Sequence, residues 1–142
     1  MVENKNLTLL GADSLTLARK IVSVLIEKKA IDVRLYNAGE DNSVTDYYVN
    51  ATGRSSTNVM ALADEVTEKI GELGRHENRV EGRSGRSWLL VDYGDVIVNV
   101  FDRPSREFYN FDRLFSEDAR VDVSDIEAEI DKKYDINNVK ED

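Results

Sequence analysis

One fourteen-residue stretch, Trp88-Leu-Leu-Val-Asp-Tyr-Gly-Asp-Val-Ile-Val-Asn-Val-Phe101, leaves little choice about the centre of the fold. It is apolar and β-branched on both sides of a single Gly-Asp interruption, which is the signal of two strands joined by a tight turn. With Gly94 and Asp95 as the central pair of a type II′ turn, Tyr93 faces Val96, Asp92 faces Ile97, Val91 faces Val98, Leu90 faces Asn99, Leu89 faces Val100 and Trp88 faces Phe101. Side chains alternate across a strand, so this register creates two unlike faces. Leu89, Val91, Val96, Val98 and Val100 make a wholly aliphatic face that must be core. Trp88, Leu90, Ile97 and Phe101 share the other face with Asp92 and Asn99, as expected of a surface covered in part by the chain's own helices or by a partner.

The rest of the chain supplies elements that can pack on such a hairpin. Asp13 or Ser14 can cap a helix carrying Leu17, Ala18, Ile21, Val22 and Leu25 at helical spacing, and Lys28 and Lys29 suit its C-terminal end. Ile31–Tyr36 alternates as a strand, and Asp46–Thr52 reads as another, ending in Gly53-Arg54-Ser55-Ser56, where a serine can cap the next helix. That helix places Val59, Leu62, Ala63, Val66, Ile70 and Leu73 on one side and stops at Gly74. A short strand fits around Asn78–Glu81. After the hairpin, Asp102 and Pro104 open a short helix with Phe108, Phe111, Leu114 and Phe115 on one side, which need a docking surface. From Glu117 onward the composition turns acidic; Ser124-Asp-Ile-Glu127 matches a capping box, and the reading is a marginal helix in a mobile appendage. The expected organisation is an N-terminal extension over 1–13, one domain over 14–116 and an acidic tail over 117–142.

Charge and composition narrow the function classes. The chain has 142 residues, 41% hydrophobic and 33% charged, with no apolar run of the roughly 20 residues that a membrane helix needs. The N-terminus has neither a secretory apolar segment nor transit-peptide character, so a cytoplasmic location is expected. With no cysteine and the single His76, thiolate and histidine-cluster metal sites are excluded and only carboxylates could hold an ion. Of the net charge of −9, the tail 117–142 carries ten acidic and four basic residues. The body is near balance, and its basic residues cluster only at Arg75, Arg79, Arg83 and Arg86. A basic protein partner suits this charge better than naked nucleic acid.

Thr45-Asp-Tyr-Tyr-Val-Asn-Ala-Thr-Gly-Arg-Ser-Ser56, Val80-Glu-Gly82, Trp88 through Val100, and Ser105-Arg-Glu-Phe-Tyr109 with Leu114 occur in an order and at spacings that resemble the ribosomal silencing factor family, RsfS, also called Iojap. The resemblance spans about residues 29–115. It implies an α+β domain, a mixed β-sheet flanked by helices and similar to nucleotidyltransferases, without their activity or any cofactor. It further implies binding to the large ribosomal subunit at protein L-fourteen, on the face where the small subunit docks, so that subunit joining is blocked and translation falls. Carried over position by position, the family's contact residues fall on Trp88 and Tyr93, with Leu90, Asp92 and Asp95 in the same neighbourhood. Two departures stand out: Asn99 occupies a position where the family often has His, and Asn50 one that is usually apolar or small.

Each candidate has a plainer reading. A lone Trp is more often core than interface, but Trp88 shares its face with Asp92 and Asn99, which a closed core would have to satisfy internally, and an aromatic anchor beside acidic groups suits a basic partner. Tyr93 points to the opposite face by parity and would need the turn to twist it outward. Asp92 and Asp95 invite a magnesium site for nucleotidyl transfer together with the Gly53–Ser56 turn, yet they straddle a turn instead of alternating along one strand, and a turn residue plus a polar strand residue explains them better. The arginine segment is a solvated loop or a brush against ribosomal RNA. The half-apolar face also allows a homodimer. An enzyme using Gly53–Ser56 and Asp92, and a large-subunit assembly factor using the same surface as a silencer, are the alternatives.

Overall fold

The computed structural model describes residues 7–141, with side chains as far as Tyr134; residues 1–6 of the expected extension and residue 142 lie outside the described residues. The elements run α1 (Ser14–Glu27), β1 (Ile31–Asn37), β2 (Tyr47–Thr52), α2 (Ser56–Glu72), β3 (Arg79–Glu81), β4 (Trp88–Asp92), β5 (Val96–Phe101), α3 (Arg103–Tyr109), two 3-10 turns (Phe111–Leu114 and Glu117–Ala119), β6 (Arg120–Val121) and α4 (Ser124–Glu141). The strands form one mixed sheet in the order β3-β4-β5-β2-β1-β6. Only β2 and β5 are parallel, because α2, β3 and β4 lie between them in the chain and carry it back to the same end.

Local chemistry starts α1, α2 and α3 as the sequence suggests. Asp13 Oδ1 accepts from the Thr16 N–H (2.8 Å), Ser55 Oγ from Asn58 (3.1 Å) and Asp102 Oδ1 from Ser105 (2.9 Å), each satisfying a donor that has no partner within the first turn. The hairpin takes the expected register, with Trp88 opposite Phe101 and Leu90 opposite Asn99. Gly94 adopts φ 92, while Asp95 is not among the residues of positive φ, as a II′ turn requires.

Helices α1 and α2 cover one face of the sheet. Leu89, Val91, Val96, Val98 and Val100 are fully buried there against Leu17, Ile21, Leu62, Val66 and Ile70. This is the aliphatic face read from the hairpin. A glycine is demanded at Gly82, where φ is 97 and a Cβ would lie 2.1 Å from the Trp88 carbonyl oxygen, so the residue's absence of a side chain lets the loop close onto the start of β4.

The C-terminal residues depart from expectation. Residues 117–134, read as part of an acidic appendage, add to the domain: β6 pairs with β1, Val123 and Ile130 are buried, and Arg19 forms an ion pair with Asp125 while Lys133 Nζ donates to Glu27 (2.9 Å). The apolar residues in this stretch are too few to signal a core segment by themselves, but they fall where the edge of β1 and the flank of α1 need cover. Ser124 does not close the capping box; its N–H donates to Asp122, and the Val123 carbonyl accepts from Ile126 and Glu127. On the N-terminal side, Leu9 of the expected extension is buried and its N–H donates to the Leu73 carbonyl.

Candidate functional site

The second face of the sheet is covered by α3 and the 3-10 turn that follows, and this cover decides the environment of Trp88. The sequence reading placed Phe108, Phe111, Leu114 and Phe115 on one side of one helix. Instead, α3 stops at Asn110, which adopts the left-handed conformation (φ 46), and the chain turns. Phe111 and Phe115 fold onto the sheet against Tyr48, and Phe115 stacks on Tyr36 at 4.3 Å, whereas Phe108 is 81% and Leu114 68% exposed. The residue that α3 buries is Arg106.

Trp88 is half-buried at the rim of this cover. Its ring lies 4.9 Å from that of Phe101, 4.8 Å from that of Tyr109 and 6.2 Å from that of Phe111. Tyr109, itself 51% exposed, continues to Phe108 at 5.0 Å, so Trp88, Tyr109 and Phe108 form an aromatic strip open to solvent, with Leu90 half-buried on the same face of β4. The share of Phe108 and Tyr109 in this strip escaped the sequence reading; the signal for it was the helix-stopping Asn110, which was not read as such.

The polar groups of this face are satisfied internally, which corrects the argument that they call for an outside partner. Trp88 Nε1–H donates to Asn99 Oδ1 (2.9 Å), Asn99 Nδ2 to Asn50 Oδ1 (3.1 Å) and Asn50 Nδ2 to Asp112 Oδ1 (3.0 Å). Arg106 closes the network, with Nε to Asp112 Oδ2 (2.6 Å) and Nη1 to Thr52 Oγ1 (2.9 Å). Burial pushes the Asp112 carboxyl up, but the hydrogen bonds from Arg106 and Asn50 and the Arg106 charge outweigh it, and it titrates below the usual carboxylate range.

Asp92 and Asp95 are likewise engaged. Asp92 Oδ1 accepts the Gly94 N–H (2.7 Å) and Oδ2 lies 3.2 Å from Arg79 Nε, while Asp95 Oδ1 accepts from Arg75 Nη2 (2.5 Å). Arg83 pairs with Asp64 at 3.1 Å, so three of the four clustered arginines are already matched by carboxylates. The Asp95 carbonyl also accepts from Asp46 and Tyr47 (3.0 and 3.2 Å), which pins the hairpin turn to β2.

That anchoring keeps Tyr93 in the core. It is 3% exposed, as strand parity predicts, so in this conformation it supports the turn from within and does not reach a partner. Burial pushes its phenol above the ordinary tyrosine value, and its hydroxyl finds no hydrogen-bond partner among the described residues. Tyr93→Phe is therefore expected to match or exceed wild-type stability near neutral pH. The neutral phenol is the form favoured by folding, so its contribution is whole below about pH 10 and is lost as pH climbs through the raised folded value. Thermal melts of both proteins from pH 8 to 11 should show a shallower alkaline decline in the variant; parallel declines would refute this account.

The elements of an enzymatic alternative are not brought together. Gly53 continues β2 and its N–H donates to the Phe101 carbonyl, whereas Asp92 pairs opposite Ile97, so roughly 13 Å of strand separates the two ends. Ser55 is occupied as a cap, and the Arg54 N–H donates to Asn58 Oδ1 (2.9 Å). No group of three or more His, Cys, Asp or Glu suited to a metal ion occurs among the described residues.

The model of a family described as "Ribosomal silencing factor during starvation" matches residues 11–142. The chain belongs to the ribosomal silencing factor family. It is 32% identical over 97 residues to the ribosomal silencing factor RsfS of Bacillus subtilis, covering 68% of this chain and 82% of that protein. It is 24% identical to the mouse protein named "Mitochondrial assembly of ribosomal large subunit protein 1", over 68% of this chain and 43% of the relative. A crystal structure of a Chromobacterium violaceum protein superposes with a TM-score of 0.70 at 29% identity, covering 72% of this chain and 86% of that one. The RsfS family match includes the C-terminal residues that the fold docks onto α1 and β1. The family and its Bacillus subtilis member are named for ribosome silencing and not for a reaction, and no described helix of this RsfS-family chain is long and apolar enough to cross a membrane.

Proposed function

We propose that this protein binds the large ribosomal subunit at protein L-fourteen through the outer face of β4 and the adjoining end of α3, and that its bulk there prevents the small subunit from joining. The observation that carries the reading is the solvent-open strip of Trp88, Tyr109 and Phe108 on a chain of the RsfS family. Large exposed aromatic side chains in contiguous order mark docking surfaces, and a central aromatic supplies much of the energy of such contacts. Leu90 adds apolar area. Asp92 and Asp95 meet basic groups of the partner by exchanging them for Arg79 and Arg75, both at the rim of the surface. Tyr93 acts by holding the turn and not by contact. Blocking is steric, so the reading requires no catalysis and no cofactor, and it places the protein with ribosomes in the cytoplasm.

A second reading, a role in large-subunit assembly, draws on the name of the mouse relative and would use the same surface. A homodimer through the aromatic strip would compete with the ribosome. RNA contact by the arginine segment is the weaker option, since Arg75, Arg79 and Arg83 are matched by carboxylates.

Co-sedimentation with separated subunits tests the proposal. Pelleting with the large subunit alone, together with slower subunit joining by light scattering, is the expected outcome. Pelleting without an effect on joining would favour the assembly role, and no pelleting with either subunit would refute both. Nucleotide and magnesium are expected to leave the melting temperature unchanged, whereas a rise would revive the enzyme reading by mass action on the folded state.

A further inference from the structure

The hydrogen bonds beneath α3 form a chain with a single direction. It begins at a group that can only donate, the Trp88 indole N–H, and ends at one that can only accept when ionised, the Asp112 carboxylate. Two amides lie between them. Because the indole needs an acceptor, Asn99 must turn Oδ1 toward Trp88, which leaves Nδ2 to donate to Asn50 Oδ1, and Asn50 must then offer Nδ2 to Asp112. Asn50 and Asn99 are 0% and 1% exposed, so neither amide can reverse without stranding buried polar atoms. Arg106 fixes the far end by holding both Asp112 oxygens, at 2.6 and 3.2 Å.

We propose that Asn99, Asn50 and Asp112 are positioning residues that hold the Trp88 indole in its partner-ready orientation, so that docking of α3 and the following 3-10 turn controls the binding surface. The inference rests on the large-subunit reading above and extends it to the buried Asn50 and Asn99 and the largely buried Asp112 beneath that surface. A neutral histidine at position 99 has the same logic, one nitrogen accepting and the other donating, whereas an aliphatic residue does not.

Trp88 is the sole tryptophan, so one indole N–H signal in a nitrogen-15 spectrum reports it alone. In the wild type this proton is expected to exchange with solvent at least tenfold more slowly than a free indole; exchange at the free rate would overturn the proposal without any variant. Asn50→Leu, two residues removed from Trp88 along the chain of bonds, is expected to move the signal, speed its exchange and weaken large-subunit binding about tenfold. Asn99→Leu should do so more strongly. Asn99→His at pH 8, where imidazole is neutral, should restore both readouts. Folded leucine variants with wild-type signal and affinity would overturn the inference. Failure of the wild type to bind the subunit would instead sink the functional reading, because the indole signal decides the positioning in the free protein.

Discussion

Replacing Trp88 by alanine is expected to weaken large-subunit binding by about 2 kcal/mol or more, roughly thirtyfold, as truncation of a central aromatic anchor does. The size follows from what the ring does at once. Its outer part supplies apolar area to the partner, and its inner part braces Tyr109, the next aromatic in the exposed strip, at 4.8 Å. Alanine therefore removes one contact and loosens a second. The same substitution costs folding stability, because Phe101 and Phe111 lose a neighbour and Asn99 Oδ1 loses its donor. The two effects separate experimentally. Affinity measured well below the melting temperature of the variant, with circular dichroism showing native content, isolates the contact. Wild-type affinity in such a folded variant would remove Trp88 from the interface, and a variant unfolded at all temperatures would make it a core residue.

The second large effect is expected at Asp112, where alanine should cost about 3 kcal/mol of folding stability, the range seen when one member of a buried pair is removed. The side chains of Arg106 and Asp112 are 10% and 14% exposed, so the guanidinium left behind loses its main counter-charge where water reaches it poorly. Asp32, 3.6 Å from Arg106 and more exposed, offsets only part of this. Asn50 Nδ2 loses its acceptor as well. Urea denaturation measures the loss, and the double variant Arg106→Met with Asp112→Leu should recover most of it, since two apolar residues leave no charge unpaired. A cost below about 1 kcal/mol would mean that the pair is as dispensable as a surface ion pair. The pH dependence has a definite sign. The folded state holds the Asp112 carboxyl below its ordinary value, so its contribution is present above the normal carboxylate range and is lost as pH falls through the lowered folded value. Asp112→Ala should flatten the acid side of the stability profile by that contribution.

The aromatic strip and the buried network together show why the sequence reading of the candidate surface was partial. Trp88 and Leu90 were legible there because strand parity assigns them to one face. Tyr93 was legible as pointing away, and its burial at 3% follows from the same parity. Phe108 and Tyr109 were not legible, because a helix assumed to continue past Asn110 puts Phe108 on the sheet side, and the left-handed turn there reverses the assignment. The acidic tail misled for a different reason. Its charge describes the exposed side of α4, while buried Val123 and Ile130, the pairing of β6 with β1 and the ion pairs to Arg19 and Glu27 dock it.

The sequence by itself determined the hairpin and its register, the helix starts at Asp13 or Ser14, at Ser55 or Ser56 and at Asp102, and the aliphatic face that became the core. These depend on neighbours within a few residues, where alternation, helical spacing and a side-chain oxygen near free N–H groups act before any long-range contact exists. Only the tertiary structure decided that Asn50 reaches Asp112, 62 positions away, that Arg75 and Arg79 occupy the acidic groups of the hairpin, and that Tyr109 and Phe111 close over Trp88. A polar side chain in a sequence specifies what it can donate or accept, and the fold chooses the partner, because that choice is made by whichever complementary group is carried within about 3 Å once the apolar surfaces are buried.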